Sequence, residues 1–569
     1  MRKLTGGSLA VAASLVSALV VAQERTPTPL LKQIRNGEPA IHLTNAELES
    51  LGDPFFNLVL RDGAPPTTLA DIVDRITGGR PSIEVQLFAV SEELASHEPG
   101  PRRGVIAFSG FHPVERNLAG NVMLSVFYDS RAFAEQQIEA WGWDNHRGRY
   151  NYYKLDRSGT PLGQFGWKFR GSSVGSDLLS PDDRRETCFA CHVNGAPVMK
   201  ELLFPWNNWH SFASQATYLL RLTAAERRWP IASHPLFGGL AGAETLENDH
   251  LLPALAHFNT RRINDVLERD DESRAVREED GLHVVVEGRR ILKPLFVTTE
   301  VNLISSGQPT GLHPLSPPGT AVVDRPVGIP NSLFLNDCLL RALGIREAAQ
   351  FQAASQHSLS VYRESVEVAD LRLAGRAGDA IFAWFVPEPS SLDCDLGKQL
   401  LARGVVTPTV VAALLAVDLR TPIFSPARRR LWQELAPERF TFPSGAEGAR
   451  GDQDLEVLLV AALTAIEQRS EHEELLLSRL TSGDAVALLR EDVARYLEEV
   501  RGDFSADATS AVRKWLGVAI ARRQAMLDDV VLRSLDETQG FLLLPLPPRN
   551  APPGSLSTEG HRTEEPSPP

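Results

Sequence analysis

Cysteine is scarce in this chain: four residues in 569, at positions 188, 191, 338 and 394. That scarcity excludes a disulfide-dense scaffold. It also excludes a zinc finger, because no second Cys/His pair stands at finger spacing. Methionine is as rare, with four copies, among them Met123 and Met199. Positive charge is in deficit, with 58 Lys and Arg against 72 Asp and Glu and a formal net charge of −14. Nothing in that balance neutralises a phosphate backbone or favours an anionic bilayer, so no nucleic-acid partner is expected. Long apolar runs are missing after the N-terminus, so no membrane span is expected once a leader is removed. P-loop and H-E-x-x-H sequences are absent too, and with them the usual marks of nucleoside triphosphatases and zinc proteases.

What is present starts with a leader. Arg2 and Lys3 precede an apolar run from Leu9 to Ala22. The run is shorter than the ~20 residues a bilayer-spanning helix needs. Val20 and Ala22 occupy the positions a signal peptidase reads, and Gln23 follows in place of a lipid-accepting cysteine. Residues 1–22 are therefore expected to be a signal peptide and the mature chain to be periplasmic or secreted.

The length suggests several domains. Residues 23–80 form an N-terminal extension with two short helices. Thr44 and Glu47 make a capping box for the first, and TTLADIVDRITGG ends the second at Gly78 and Gly79. From 81 to about 180 the pattern is strand-like: PSIEVQLFAV, GVIAFSG, NVMLSVFYDS, RYNYYKLD and GQFGWKFRG are aromatic or β-branched and separated by turn residues. LPALAHFNTRRINDVLERD reads as helix, and HVVVEGRRILKPLFVTT as strand, turn at Glu287-Gly288, strand. A Pro- and Gly-rich stretch ends this region near 330. Residues 331–544 then carry apolar residues at helical spacing, with Thr407 and Pro408 opening one helix and Arg428 to Arg430 expected on an exposed helix face. The tail, 545–569, is Pro-rich and polar and reads as disordered. Cys338 and Cys394 form either one disulfide or a buried thiol pair.

Cys188-Phe189-Ala190-Cys191-His192 carries the chemistry. Two thiols three residues apart lie on one side of a helical turn, where they can add to the two vinyl groups on one edge of a porphyrin. The next residue, His192, can then present its imidazole to the iron. This is the attachment sequence of haem c. A thioredoxin-like redox pair needs a βαβ setting that the local pattern does not supply. The motif occurs once, so one haem per chain is expected, with Cys188, Cys191 and His192 as the cofactor-binding residues and His192 as the proximal ligand. The distal position has three side-chain candidates, Met123, Met199 and His210, or stays open. Met199 lies seven residues beyond His192. Seven extended residues reach about 24 Å, against a path of about 25 Å around the porphyrin edge, so packing is the simpler role for Met199. His210 has enough chain to reach, and Met123 lies in a strand that could line the distal side.

The motif resembles that of c-type cytochromes. Its place after about a hundred strand-like residues is similar to the cytochrome P460 and cytochrome c′-β group, whose β-rich domains carry C-x-x-C-H near their end. In cytochrome P460 an upstream lysine is cross-linked to the haem. Lys154 and Lys168 are the upstream lysines of the strand region, but neither lies in a matching motif, and the cross-link is not carried over. The fold expected is α+β: a β-rich haem-bearing domain with helices at 81–330, followed by an all-helical domain. The function expected is electron transfer with a redox partner protein or a small oxidant or reductant. The alternatives are a haem enzyme with an open coordination site, a peroxidase or an oxidase of small nitrogen compounds, and diatomic gas binding.

Overall fold

The structure is a computed structural model. It describes residues 30–90, 102–111, 121–128, 135–156, 166–173, 187–190, 192, 195–197, 235–239, 241, 246–268, 278–279, 281–297, 301–302, 326–329, 333–346, 351–354, 388–389, 391–423, 425–445, 450–511, 513–515, 517–518 and 521. The leader and the Pro-rich tail lie outside the described residues.

The fold is α+β. Its centre is an eight-stranded sheet of β1 (Leu31–Lys32), β2 (Ile41–His42), β3 (Glu84–Val90), β4 (Arg102–Ser109), β5 (Val122–Tyr128), β6 (Glu135–Asp144), β7 (Arg149–Asp156) and β8 (Gly166–Ser172). The spatial order is β2-β1-β8-β7-β6-β5-β4-β3. Strands β3 to β8 form an antiparallel meander, and β1 joins its edge parallel to β8. The register slips between Tyr152 and Tyr153 in the β7–β8 ladder, so the strand bends there.

One face of this sheet is sealed by the N-terminal extension. Helix α1 (Asn45–Glu49) starts at the expected Thr44/Glu47 capping box, and α2 (Leu69–Thr77) starts at Thr68. Between them a π-helical turn, Phe56–Leu60, presents Phe56, Val59 and Leu60 to the core. These residues, with Phe55, Ile72 and Ile76, pack against Phe108, Leu124, Tyr153 and Trp167 of the sheet. Each such side chain contributes roughly 1.5–3 kcal/mol by burial.

The other face is covered by residues 187–190, 192 and 195–197 and by α3 (Leu252–Asp265), which lays Leu255 and Phe258 on it. The far side of α3 is bonded to α6 (Ser391–Ala402), introduced here with α4 (Gly288–Phe296) and α5 (Asp337–Ala342) before it. Asn259 donates to the Leu392 carbonyl at 2.9 Å, and Gln399 donates to the Ala256 carbonyl at 2.8 Å. Leu392 itself reaches the sheet's aromatic face.

A second large core gathers Ile263, Leu295, Leu396, Val411, Leu459 and Leu489. Its central helix is α7 (Pro408–Ala416), apolar on every side and capped by Thr407, whose hydroxyl accepts from Val410 N at 3.0 Å. Around it stand α8 (Pro426–Leu435), α9 (Leu455–Thr464), α10 (Glu471–Thr481) and α11 (Ala485–Ala506). Cys338 of α5 and Cys394 of α6 form a disulfide, with Cα atoms 6.0 Å apart.

Three expectations fail. Residues 331–544 are not all-helical: Phe351–Ala354 and Phe440–Pro443 are strands that pair with Pro326–Ile329 and Leu282–Val285, across the expected boundary at 330. The run after Gly288 is a helix, α4, where a second strand was predicted. Ile291, Leu292, Leu295 and Phe296 recur at i, i+1, i+4 and i+5, which is helical spacing and not alternation, and this side is buried against the second core. Arg428 is buried, although the basic cluster was expected on an exposed face. Its guanidinium donates to the carbonyls of Val417, Asp418 and Thr421 at 2.8, 3.2 and 2.6 Å. It thereby satisfies the carbonyls left over after α7, where Asp418 takes a φ of 59°. Burial pulls its pKa down to about 10, still well above neutral.

Candidate haem site

Alternation along the strands builds the aromatic face. Met123, Trp141, Tyr152 and Gly171 are successive cross-strand neighbours, one each from β5, β6, β7 and β8. Beside them runs a polar row, Ser125, Glu139, Lys154 and Lys168. Trp143 and Tyr150 extend the aromatic surface toward α3 and pack edge-on at 4.8 Å. Period two in AWGW and YNYY puts these rings on one side of the sheet.

Residues 187–190, 192 and 195–197 lie on this surface. Cys188–Ala190 forms one 3-10 turn. The His192 N–H donates to the Cys188 carbonyl at 3.0 Å, continuing the turn, so Cys188 and His192 are fixed relative to each other. Phe189 stacks edge-on against Tyr152 at 5.5 Å and lies over Gly171. Gly171 has a φ of +113°, and a Cβ there would stand 3.0 Å from the Phe189 ring. Glycine is needed both for the backbone angle and for the close approach.

His192 is buried, with its ring 5.5 Å from Trp141 and 5.1 Å from Tyr152. The chain turns back after it: Gly195 N–H donates to the His192 carbonyl at 2.8 Å, and Gly195 takes a φ of 73°. This return sets the Ala196 carbonyl 2.8 Å from His192 Nδ1. A carbonyl only accepts, so Nδ1 carries the proton and Nε2 carries the ring's lone pair in the neutral imidazole. An iron-ligating histidine needs that tautomer, and an Nδ1–H bond to a carbonyl is the usual way of fixing it. Tyr152 Oη donates to the Gly195 and Ala196 carbonyls at 2.7 and 3.0 Å, which ties the return loop to β7.

Cys188 is a free, half-buried thiol. Desolvation pushes it up to about 11, and Glu139 adds to the rise while Arg170 and Lys154 oppose it. Such a thiol stays protonated at neutral pH, the reverse of the low-pKa cysteine that thiol–disulfide exchange uses. Lys168 is buried and paired with Asp156 at 2.9 Å. Met123 is fully buried within the same aromatic cluster. Cys191, Met199 and His210 lie outside the described residues.

Three polar atoms on this face have no hydrogen-bond partner among the described residues: Trp141 Nε1, Trp143 Nε1 and Ser125 Oγ. Leaving a buried donor unpaired costs about 1–3 kcal/mol, and a bound group with acceptor atoms on this face would relieve that cost. These observations fit a haem: a thiol and an imidazole one turn apart, the imidazole in the ligating tautomer, an aromatic floor and unpaired donors. Among the described residues no three His, Cys, Asp or Glu gather as a metal-holding group. A haem iron takes only one ligand from this motif.

Of the residues named from the sequence, Cys188, His192 and Met123 come together on this face; Trp141, Tyr152, Gly171 and the Ala196 carbonyl, which lie beside them, were not named. Strand β6 was not anticipated, although the alternation of Ile138, Ala140 and Gly142 with Glu139, Trp141 and Trp143 carries its signal. No protein-family model, curated protein or solved structure matches the chain. No described helix is long and apolar enough to cross a membrane.

Proposed function

We propose that this chain is an exported mono-haem c-type cytochrome that transfers electrons through a haem held by Cys188, Cys191 and His192. The observation that carries the reading is the Nδ1–H bond from His192 to Ala196, which leaves Nε2 as the ligating nitrogen one turn from Cys188. When bound, the haem supplies a one-electron couple. The chain's own residues do the rest. Cys188 and Cys191 hold the tether, His192 ligates, and the Ala196 carbonyl orients the imidazole. Trp141, Tyr152 and Phe189 keep water from that side of the ring. A redox protein or a small oxidant or reductant delivers and removes the electron. The Cys338–Cys394 disulfide supports export, because such bonds persist in oxidising compartments. The leader sequence and this disulfide both support a periplasmic or secreted location.

The unpaired donors of Trp141 and Ser125 favour a second reading. They would hydrogen-bond a small molecule at an open coordination site, giving a haem enzyme acting on peroxide or small nitrogen compounds, or a diatomic gas binder. Visible spectra separate the two. Electron transfer predicts a low-spin spectrum that carbon monoxide leaves unchanged. A high-spin spectrum that shifts with carbon monoxide or peroxide overturns it in favour of the second reading.

A further inference from the structure

The Ala196 carbonyl receives two donors. His192 Nδ1 lies 2.8 Å away and Tyr152 Oη 3.0 Å away. The single Tyr152 proton is shared between the Gly195 carbonyl at 2.7 Å and the Ala196 carbonyl at 3.0 Å, and its share at Ala196 competes with His192 for that oxygen's electron density. The strength of the His192 bond governs how much imidazolate character the ring acquires. A stronger bond makes the ligand more basic and favours oxidised iron, and a weaker bond favours reduced iron. Tyr152 is well placed to set that balance. It is buried, its ring packs against His192 at 5.1 Å, and its hydroxyl also holds the neighbouring Gly195 carbonyl at 2.7 Å. Tyr153, one residue on, turns to the other face and spends its hydroxyl on Asp53. The two adjacent tyrosines therefore have separable roles.

We infer that Tyr152 is a positioning residue that raises the haem's midpoint potential by sharing the Ala196 carbonyl with His192. The inference rests on the haem reading above. It does not require Tyr152 to touch the iron or any substrate.

The test is potentiometric titration of the full-length, haem-loaded protein, with Tyr152→Phe against wild type and Tyr150→Phe as control. Phenylalanine keeps the ring on His192 and removes only the hydroxyl. The ferric-to-ferrous ratio at fixed potential should rise about three- to tenfold in Tyr152→Phe, a midpoint lower by ~28 to ~59 mV for a one-electron couple. Tyr150→Phe, whose ring packs on Trp143 and Phe258 and makes no bond to the 195–196 carbonyls, serves only as a same-face comparison and should shift the midpoint less than Tyr152→Phe. Should Tyr152→Phe fail to mature, 3-fluorotyrosine at position 152 keeps the hydroxyl and makes it a stronger donor, so the midpoint should move upward. An unchanged midpoint in both variants, or a shift of opposite sign in either, overturns the inference. A pyridine haemochrome on each sample keeps the two ideas apart. Absence of haem from wild type removes the cytochrome reading, whereas haem present with an unmoved midpoint removes only the role of Tyr152.

Discussion

Tyr153 and Tyr152 are neighbours on β7, yet their hydroxyls face opposite sides of the sheet and meet different needs. Tyr153 donates at 2.5 Å to Asp53, which also accepts from Asn151 and from Phe56 N–H. Burial pushes the Asp53 carboxyl up despite these bonds, and the Tyr153 phenol is raised well above its ordinary value. The polar atoms of that cluster are closed on one another, inside an apolar core of phenylalanine, leucine and isoleucine. Tyr152 instead holds the backbone of the haem-motif loop, among tryptophans whose indole N–H groups lack partners among the described residues. On the first face the Asp53 cluster satisfies its own polar atoms; on the second, Trp141 Nε1, Trp143 Nε1 and Ser125 Oγ have no hydrogen-bond partner among the described residues. The comparison teaches that the two sides of the same strands meet different demands, and the proposed function assigns chemistry to the second.

The largest effect should come from the tether. Cys188→Ala should lose the double covalent linkage, so that a wild-type haem stain surviving denaturing electrophoresis becomes weak or absent, while the first face keeps its stability. Loss of folding along with the stain would break the proposed division. Phe55→Ala acts in the reverse sense. It empties a fully buried site between Tyr153 and Trp167 and should cost about 3–5 kcal/mol in denaturant unfolding, with the haem spectrum per folded molecule unchanged. Replacing both Cys338 and Cys394 by serine opens a loop with a sequence separation of 56 and should cost about 2–4 kcal/mol. Because α6 also rests Leu392 on the aromatic face, hydrogen exchange should speed up there more than in α1 and α2. Thr44→Ala is the smallest. It removes the α1 cap and should cost about 1 kcal/mol, read from the thermal midpoint. The Thr44 backbone N–H, followed by its hydroxyl, holds Glu47 below its ordinary value of 4.5. The stabilisation is therefore full above the ordinary value and fades as pH falls through the lowered one; the part of the wild type's advantage over Thr44→Ala that comes from the hydroxyl–Glu47 bond should shrink in acid, while the part from the Glu47 N–H cap remains.

What was legible in the sequence was local. The Thr44/Glu47 box, the Thr407 cap, helix α3 and strands β4, β5, β7 and β8 each announce themselves within ten or twenty residues, because capping and alternation are short-range physics. The C-x-x-C-H spacing stands out for another reason: the proposed attachment would set it by covalent chemistry. What was hidden depends on distant partners. Nothing within β6 tells that Trp141 will meet a histidine about fifty residues later, nor that Arg428 will turn inward to the carbonyls after α7. Helix α4 is a different case: Ile291, Leu292, Leu295 and Phe296 stand at helical spacing, a local signal that the expectation of a strand overlooked.

The most direct measurement is a pyridine haemochrome spectrum with an intact mass, both on the denatured full-length chain made and exported by a host that attaches haem c. One haem per chain, bound through two thioether links and retained after denaturation, is the predicted result. A colourless protein whose mass equals that of the bare processed chain would contradict the account at its centre.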